Sequence, residues 1–136
     1  MKTDDIRWEQ RLENYNKAMQ YLADGVAIQA PDMLQKAGII QLFEISFELA
    51  WKLLKDYLEE QGFVDINTPR SAIKKAFEIG LIQDGHVWLS LLNDRNLTTH
   101  TYDEAKASAL ETIIANTYFP IMETLRQTMN QKQHGS

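Results

Sequence analysis

The stretch from residue 33 to about 61 constrains the fold most. It carries Ile39, Phe43, Phe47, Ala50, Trp51, Leu54 and Leu58 and contains no proline. At about 1.5 Å per residue, a helix over this stretch is roughly 40 Å long. Apolar side chains cover most of its circumference, so it needs cover on several sides, at the centre of a helical bundle or at a subunit interface. One polar stripe, Gln41, Glu44, Glu48, Lys52, Lys55 and Glu59, interrupts that surface. It reads as a solvated face, with Glu48 and Lys52 spaced as a favourable i,i+4 pair. Gly62 stands where a left-handed residue would end the helix.

The segments around it share the helical period. Trp8, Leu12, Tyr15, Met19, Leu22 and Val26 recur at spacings of 4, 3, 4, 3 and 4, which predicts a helix over about 4–27 with one face on a core. Thr3 is its expected cap, with Asp4 and Asp5 at the favourable end of the helix dipole. An Ala30-Pro31-Asp32 link follows. Thr68-Pro69 signals a short helix over 69–79, ended by Gly80. Asp84-Gly85 marks a turn and cap before a helix that carries Val87, Trp88, Leu91 and Leu92 toward Arg95. Thr101-x-x-Glu104 has the form of a capping box. It would open a last long helix near Tyr102 that runs to about 130 and is kinked at Pro120. No strand pattern or repeat is present. The expectation is an all-α, antiparallel up-down four-helix bundle with an additional short helix, as one domain over 1–130, and a polar, disordered tail at 131–136.

Composition narrows the function. The chain has 136 residues, a 44% hydrophobic and 24% charged make-up and no cysteine, which excludes disulfides, thiolate metal sites and thiol nucleophiles and fits a cytoplasmic location. No apolar run approaches the ~20 residues of a membrane span. The N-terminal MKTDDIRWEQ lacks the apolar core of a secretory signal. A net charge of −5 argues against a broad nucleic-acid-binding surface, which needs many phosphate-neutralising cations, but leaves room for a focal site.

Metal chemistry in such bundles uses inward Glu-x-x-His pairs. None of His86, His100 and His134 has a glutamate three residues before it, so neither metal nor cofactor is expected. His86 is expected near a solvated helix start, and Trp8, Trp51 and Trp88 in the core. The phosphate-loop, dinucleotide and nucleophile-elbow motifs are absent. What remains is the polar run Asp94-Arg95-Asn96-Leu97-Thr98-Thr99-His100-Thr101-Tyr102-Asp103-Glu104. On one unbroken helix Arg95 and Tyr102 share a face, while His100 points about 140° away from Arg95. Convergence of the three requires a break near Thr99–Thr101, a second copy of the chain, or both. The plain structural alternative pairs Arg95 with Asp94 or Asp103 and leaves His100 capping a helix end.

Arg95-x₄-His100-x-Tyr102 resembles the R-x₄-H-x-Y signature of HEPN domains (higher eukaryotes and prokaryotes nucleotide-binding). The branch it looks like is the small proteins that accompany minimal nucleotidyltransferases, called nucleotidyltransferase substrate-binding proteins, which include the HepT-type toxins. Phe43-Glu44-x-x-Phe47-Glu48-Leu49-Ala50-Trp51-Lys52-x-Leu54-Lys55-Asp56-Tyr57-Leu58 looks like the family's second helix. Thr68-Pro69-Arg70 through Ala76-Phe77 and Gly80 looks like its short helix, and Trp88-x-x-x-Leu92-x-Asp94-Arg95-Asn96 leads into the motif as it does there. The resemblance covers roughly residues 5–125.

The resemblance implies a homodimer with the two motif segments facing each other and a cognate minimal nucleotidyltransferase as partner. It also implies one of two activities. One is a metal-independent endoribonuclease, the toxin of a toxin–antitoxin pair, with Arg95 and His100 catalytic and Tyr102 either adenylylated by the partner or in contact with phosphate. Asp94, Asn96, Glu48 and Lys52 are the candidate supporting residues. The other is a non-catalytic subunit that binds substrate, RNA or a nucleotide, for the transferase. Residue chemistry is compatible with the first: metal-free RNA cleavage needs a base for the 2′-OH and an acid for the leaving 5′-oxygen, and histidine titrates in the range for both. A dimer supplies two histidines and two guanidiniums where one chain supplies one of each.

Overall fold

The computed structural model describes residues 6–96 and 103–135. The expected caps at Thr3 and Thr101, the charges at Asp4 and Asp5, and the motif residues His100 and Tyr102 lie outside the described residues. Helix α1 spans Ile6–Val26 and α2 spans Met33–Glu60. They form an antiparallel hairpin, because Trp8 meets Tyr57 edge-on at 5.2 Å and Arg11 Nε donates to Asp56 Oδ2 at 3.1 Å, while Gly25 lies against Ile39 at the other end. A capping box opens α2, with the Asp32 carboxylate accepting from Gln35 N and the Gln35 side chain accepting from Asp32 N. Its far end closes as expected at Gly62, whose φ of 100° lets Phe63 N–H reach back to Leu58 O at 3.0 Å.

Helix α3, Pro69–Glu78, starts on Thr68 with proline at its first position, and Gly80 at φ 81° follows its end. Helix α4 spans Gly85–Arg95. The residue before it departs from expectation: Asp84 sits in the left-handed region at φ 54° and its side chain caps nothing. Gly85 is required for space, since a Cβ there would lie 2.9 Å from the Phe77 ring. His86 is exposed at this helix start, and Trp8 and Trp88 are buried, whereas Trp51 is only half-buried.

The last long helix differs most from expectation. It opens as α5, Glu104–Ile113, with the Asp103 carboxylate as the described cap, accepting from Lys106 N. The irregularity near Pro120 is a π turn over Ile114–Tyr118, in which Phe119 N–H bonds to Ile114 O, five residues back. Proline lacks an N–H and its ring would strike the carbonyl four residues earlier, and widening the preceding turn relieves that conflict. Helix α6 then spans Phe119–Gly135. The segment 131–135, expected to be a disordered tail, is therefore helical. Packing explains this: Met129 is buried, Asn130 and Asn16 exchange side-chain hydrogen bonds, and Lys132 lies over the Tyr57 ring.

These contacts define an all-α, up-down arrangement of α1, α2, α4 and the α5–α6 rod, with α3 as the additional short helix. Its core centres on Leu12, Tyr15, Phe43, Phe47, Leu54, Trp88 and Tyr118, all buried. The Tyr15 hydroxyl donates to Met122 O at 2.7 Å and ties α1 to α6 inside that core. Among the described residues no helix is long and apolar enough to cross a membrane.

Candidate active site

The last turn of α4 is anchored to two helices at once. Consecutive residues on a helix point about 100° apart, and Asp94 and Arg95 use that divergence. Arg95 reaches α2, where its Nη1 donates to Glu48 Oε1 at 2.7 Å and its guanidinium lies 5.5 Å from the centre of the Phe47 ring. Asp94 turns to the π turn, where its Oδ2 accepts from the Tyr118 hydroxyl at 2.5 Å. Arg95 thus pairs across the bundle with a glutamate 47 residues earlier in the chain, while the neighbouring Asp94 is engaged by Tyr118.

Glu48 binds a second cation through its other oxygen, with Lys52 Nζ 3.4 Å from Oε2. Partial burial pushes the Glu48 carboxyl up. Arg95 and Lys52, with a smaller contribution from the Trp51 indole, which makes no hydrogen bond of ordinary geometry, overcome that effect and hold it below its usual value. The stripe on α2 is accordingly no simple solvated face. Glu48, Lys52, Lys55 and Glu59 are half-buried, and Lys55–Glu59 and Arg7–Glu59 pairs extend the ladder toward the end of α2.

In the sequence, nothing distinguishes Tyr118 from one more apolar position four residues after Ile114. Its ring is buried and stacks on Phe43 at 5.7 Å with 14° between planes. Burial first, then the hydrogen bond and charge of Asp94, push its hydroxyl well above the ordinary tyrosine range, so it stays protonated and donating. Of the sequence-derived candidates, the fold gathers Arg95, Glu48 and Lys52 into one cluster. Asp94 is adjacent but turned to Tyr118. Asn96 is exposed and serves as the backbone cap of α4, its N–H bonding to Asn93 O at 3.1 Å.

The all-α bundle, with Arg95 of the R-x₄-H-x-Y motif at the end of α4, fits the class that the sequence resembles. The chain belongs to the nucleotidyltransferase substrate binding protein family, whose model matches residues 10–131. It is 34% identical over 102 residues, covering 67% of each chain, to a Haemophilus influenzae protein named as a probable ribonuclease HepT. Its fold is similar to a crystal structure from Thermus thermophilus, with a TM-score of 0.76 and 33% identity over 82% of this chain and 94% of that one. It is also similar to a Haemophilus influenzae structure described as revealing the fold of a substrate binding domain of a nucleotidyltransferase. That match has a TM-score of 0.75 and 26% identity over 88% and 99% of the two chains.

Proposed function

We propose that this protein is a metal-independent endoribonuclease that works with a minimal nucleotidyltransferase, as the toxin of a toxin–antitoxin pair. The observation that carries the reading is the placement of Arg95: the motif arginine is held by Glu48 and backed by Phe47, so its guanidinium is pre-oriented for a phosphate oxygen. The name of the Haemophilus influenzae relative supports ribonuclease activity, and the description of the Haemophilus influenzae structure supports a nucleotidyltransferase partner.

In the proposed reaction one His100 takes the proton of a ribose 2′-OH, whose oxygen attacks the adjacent phosphorus. The P–O5′ bond breaks, and a second His100, from a partner copy, protonates the leaving 5′-oxygen. The products are a 2′,3′-cyclic phosphate and a 5′-hydroxyl. The two Arg95 guanidiniums stabilise charge on the phosphorane. Glu48 holds Arg95 through one oxygen and Lys52 through the other, and Asp94 and Asn96 complete the turn that presents Arg95. Tyr102 is the proposed control point: adenylylation there would add bulk and negative charge where RNA enters. Homodimerisation is part of this proposal, because one chain carries a single motif histidine.

Incubating wild type, Arg95→Ala and His100→Ala with tRNA and mRNA in EDTA tests the reading. Wild type should cut, and the alanine variants should lose at least about a hundredfold in rate. Intact RNA with wild type, or equal cutting by the variants, returns the protein to the alternative of a non-catalytic substrate-binding subunit. Co-expression with the transferase should add the mass of one AMP to wild type and none to Tyr102→Phe.

A further inference from the structure

We infer that Tyr118 is a positioning residue for the motif arginine, acting through Asp94. This inference rests on the ribonuclease reading only for its effect on turnover. Its geometric part concerns Arg95 alone.

Three features place Tyr118 in that role. Its hydroxyl donates to Asp94 Oδ2 at 2.5 Å, bridging 24 residues of chain and joining the last turn of α4 to the α5–α6 rod. Its ring has little freedom, being buried and stacked on Phe43 of α2. Its phase on the helix is set by the π turn that ends on it. A π turn closes on a hydrogen bond five residues back instead of four, so Tyr118, its last residue, stands at a different phase from the one a regular helix would give it. Tyr118 is therefore aimed at α4 by a backbone device, with Pro120 two residues on disfavouring the regular alternative.

The consequence for Arg95 comes from helix geometry. Asp94 and Arg95 are neighbours, so fixing the direction of one fixes the direction of the other. With Asp94 held by Tyr118, Arg95 is turned onto Glu48 and Phe47. Without that bond the last turn of α4 loses this tie to the rod, and the guanidinium leans more heavily on Glu48, which is 38% exposed and shared with Lys52. A charge-assisted O–H···O⁻ bond at this distance is among the stronger side-chain hydrogen bonds, which suits it to holding a helix end in register.

The test compares wild type with Tyr118→Phe, Asp94→Asn and Asp94→Ala. Tyr118→Phe keeps the Phe43 stack and removes only the donor. Asp94→Asn keeps an acceptor oxygen. The Arg95 Nε–Hε resonance reports positioning without reference to activity. In Tyr118→Phe it should shift, and its exchange with water should accelerate about tenfold, while Asp94→Asn should restore most of what Asp94→Ala loses. In the RNA assay kcat should fall about tenfold with KM little changed, since displacing a reacting group costs turnover rather than ground-state binding. An Arg95 resonance unaltered by Tyr118→Phe, in a variant that melts like wild type, overturns the inference whatever the RNA assay gives. So does an altered resonance with kcat unchanged in a wild-type protein that cuts RNA. A shifted resonance in a protein whose wild type cuts no RNA upholds the positioning of Arg95 and defeats the ribonuclease reading alone.

Discussion

Glu48 joins two cations from different parts of the chain on one carboxylate, Arg95 at 2.7 Å and Lys52 at 3.4 Å. Because these partners hold its carboxyl below the ordinary value of 4.5, folding gains stability from Glu48 that is fully present above about pH 4.5. That gain is lost as pH falls through the lower, folded-state value. Glu48→Gln should therefore cost stability at pH 7, and the gap between it and wild type should close below about pH 4.5 in urea titrations. Exposure and screening keep the cost at about 1 kcal/mol or less. Arg11 and Asp56 present the opposite case. Asp56 is 4% exposed and its described partner is Arg11. Arg11→Ala strands a buried carboxylate and should cost about 3 kcal/mol, several times the Glu48 effect, in the same urea measurement. Neither pairing was legible in the sequence, because 45 and 47 residues separate the partners and helical period says nothing about which two faces meet.

At the scale of elements, much of the bundle was legible. The periodic apolar positions of α1 and α2 all fell on core or half-buried faces, and Thr68-Pro69, Gly62 and Gly80 ended or began helices where their backbone chemistry demands it. Gly62→Ala should cost about 1 kcal/mol in thermal or urea unfolding, because φ of 100° strains any side chain and α2 would lose its terminating hydrogen bonds. The described helix begins on Asp103, whose carboxylate accepts from Lys106 N, while the expected cap at Thr101 lies outside the described residues. Pro120 predicts an irregularity but not its form. The form it takes, a π turn, buries both Ile114 and Tyr118, which is a property of the packed bundle. The polar 131–135 segment continues the helix because α1 anchors the residue before it, through Asn16 and Asn130, and α2 supplies Tyr57 beneath Lys132, contacts no composition contains.

For the whole molecule, a net charge of −5 and a small basic cluster fit a site that engages few phosphates. RNA binding by the uncleaving His100→Ala variant should weaken with salt with a log–log slope corresponding to about two to four phosphate contacts, far from that of a long basic groove. The proposed composite site also requires sedimentation at twice the 15.7 kDa chain mass at micromolar concentration, and a monomer there would remove it. The most direct test of the central claim is the chemistry of the ends that cleavage makes. Wild type in EDTA is given an RNA of defined sequence and the same strand carrying a single 2′-deoxyribose at the mapped cleavage position. The expected outcome is a 2′,3′-cyclic phosphate and a 5′-hydroxyl from the first and no cut at that position in the second. Cleavage of the deoxy-substituted strand there, or a 5′-phosphate product, contradicts the proposed reaction.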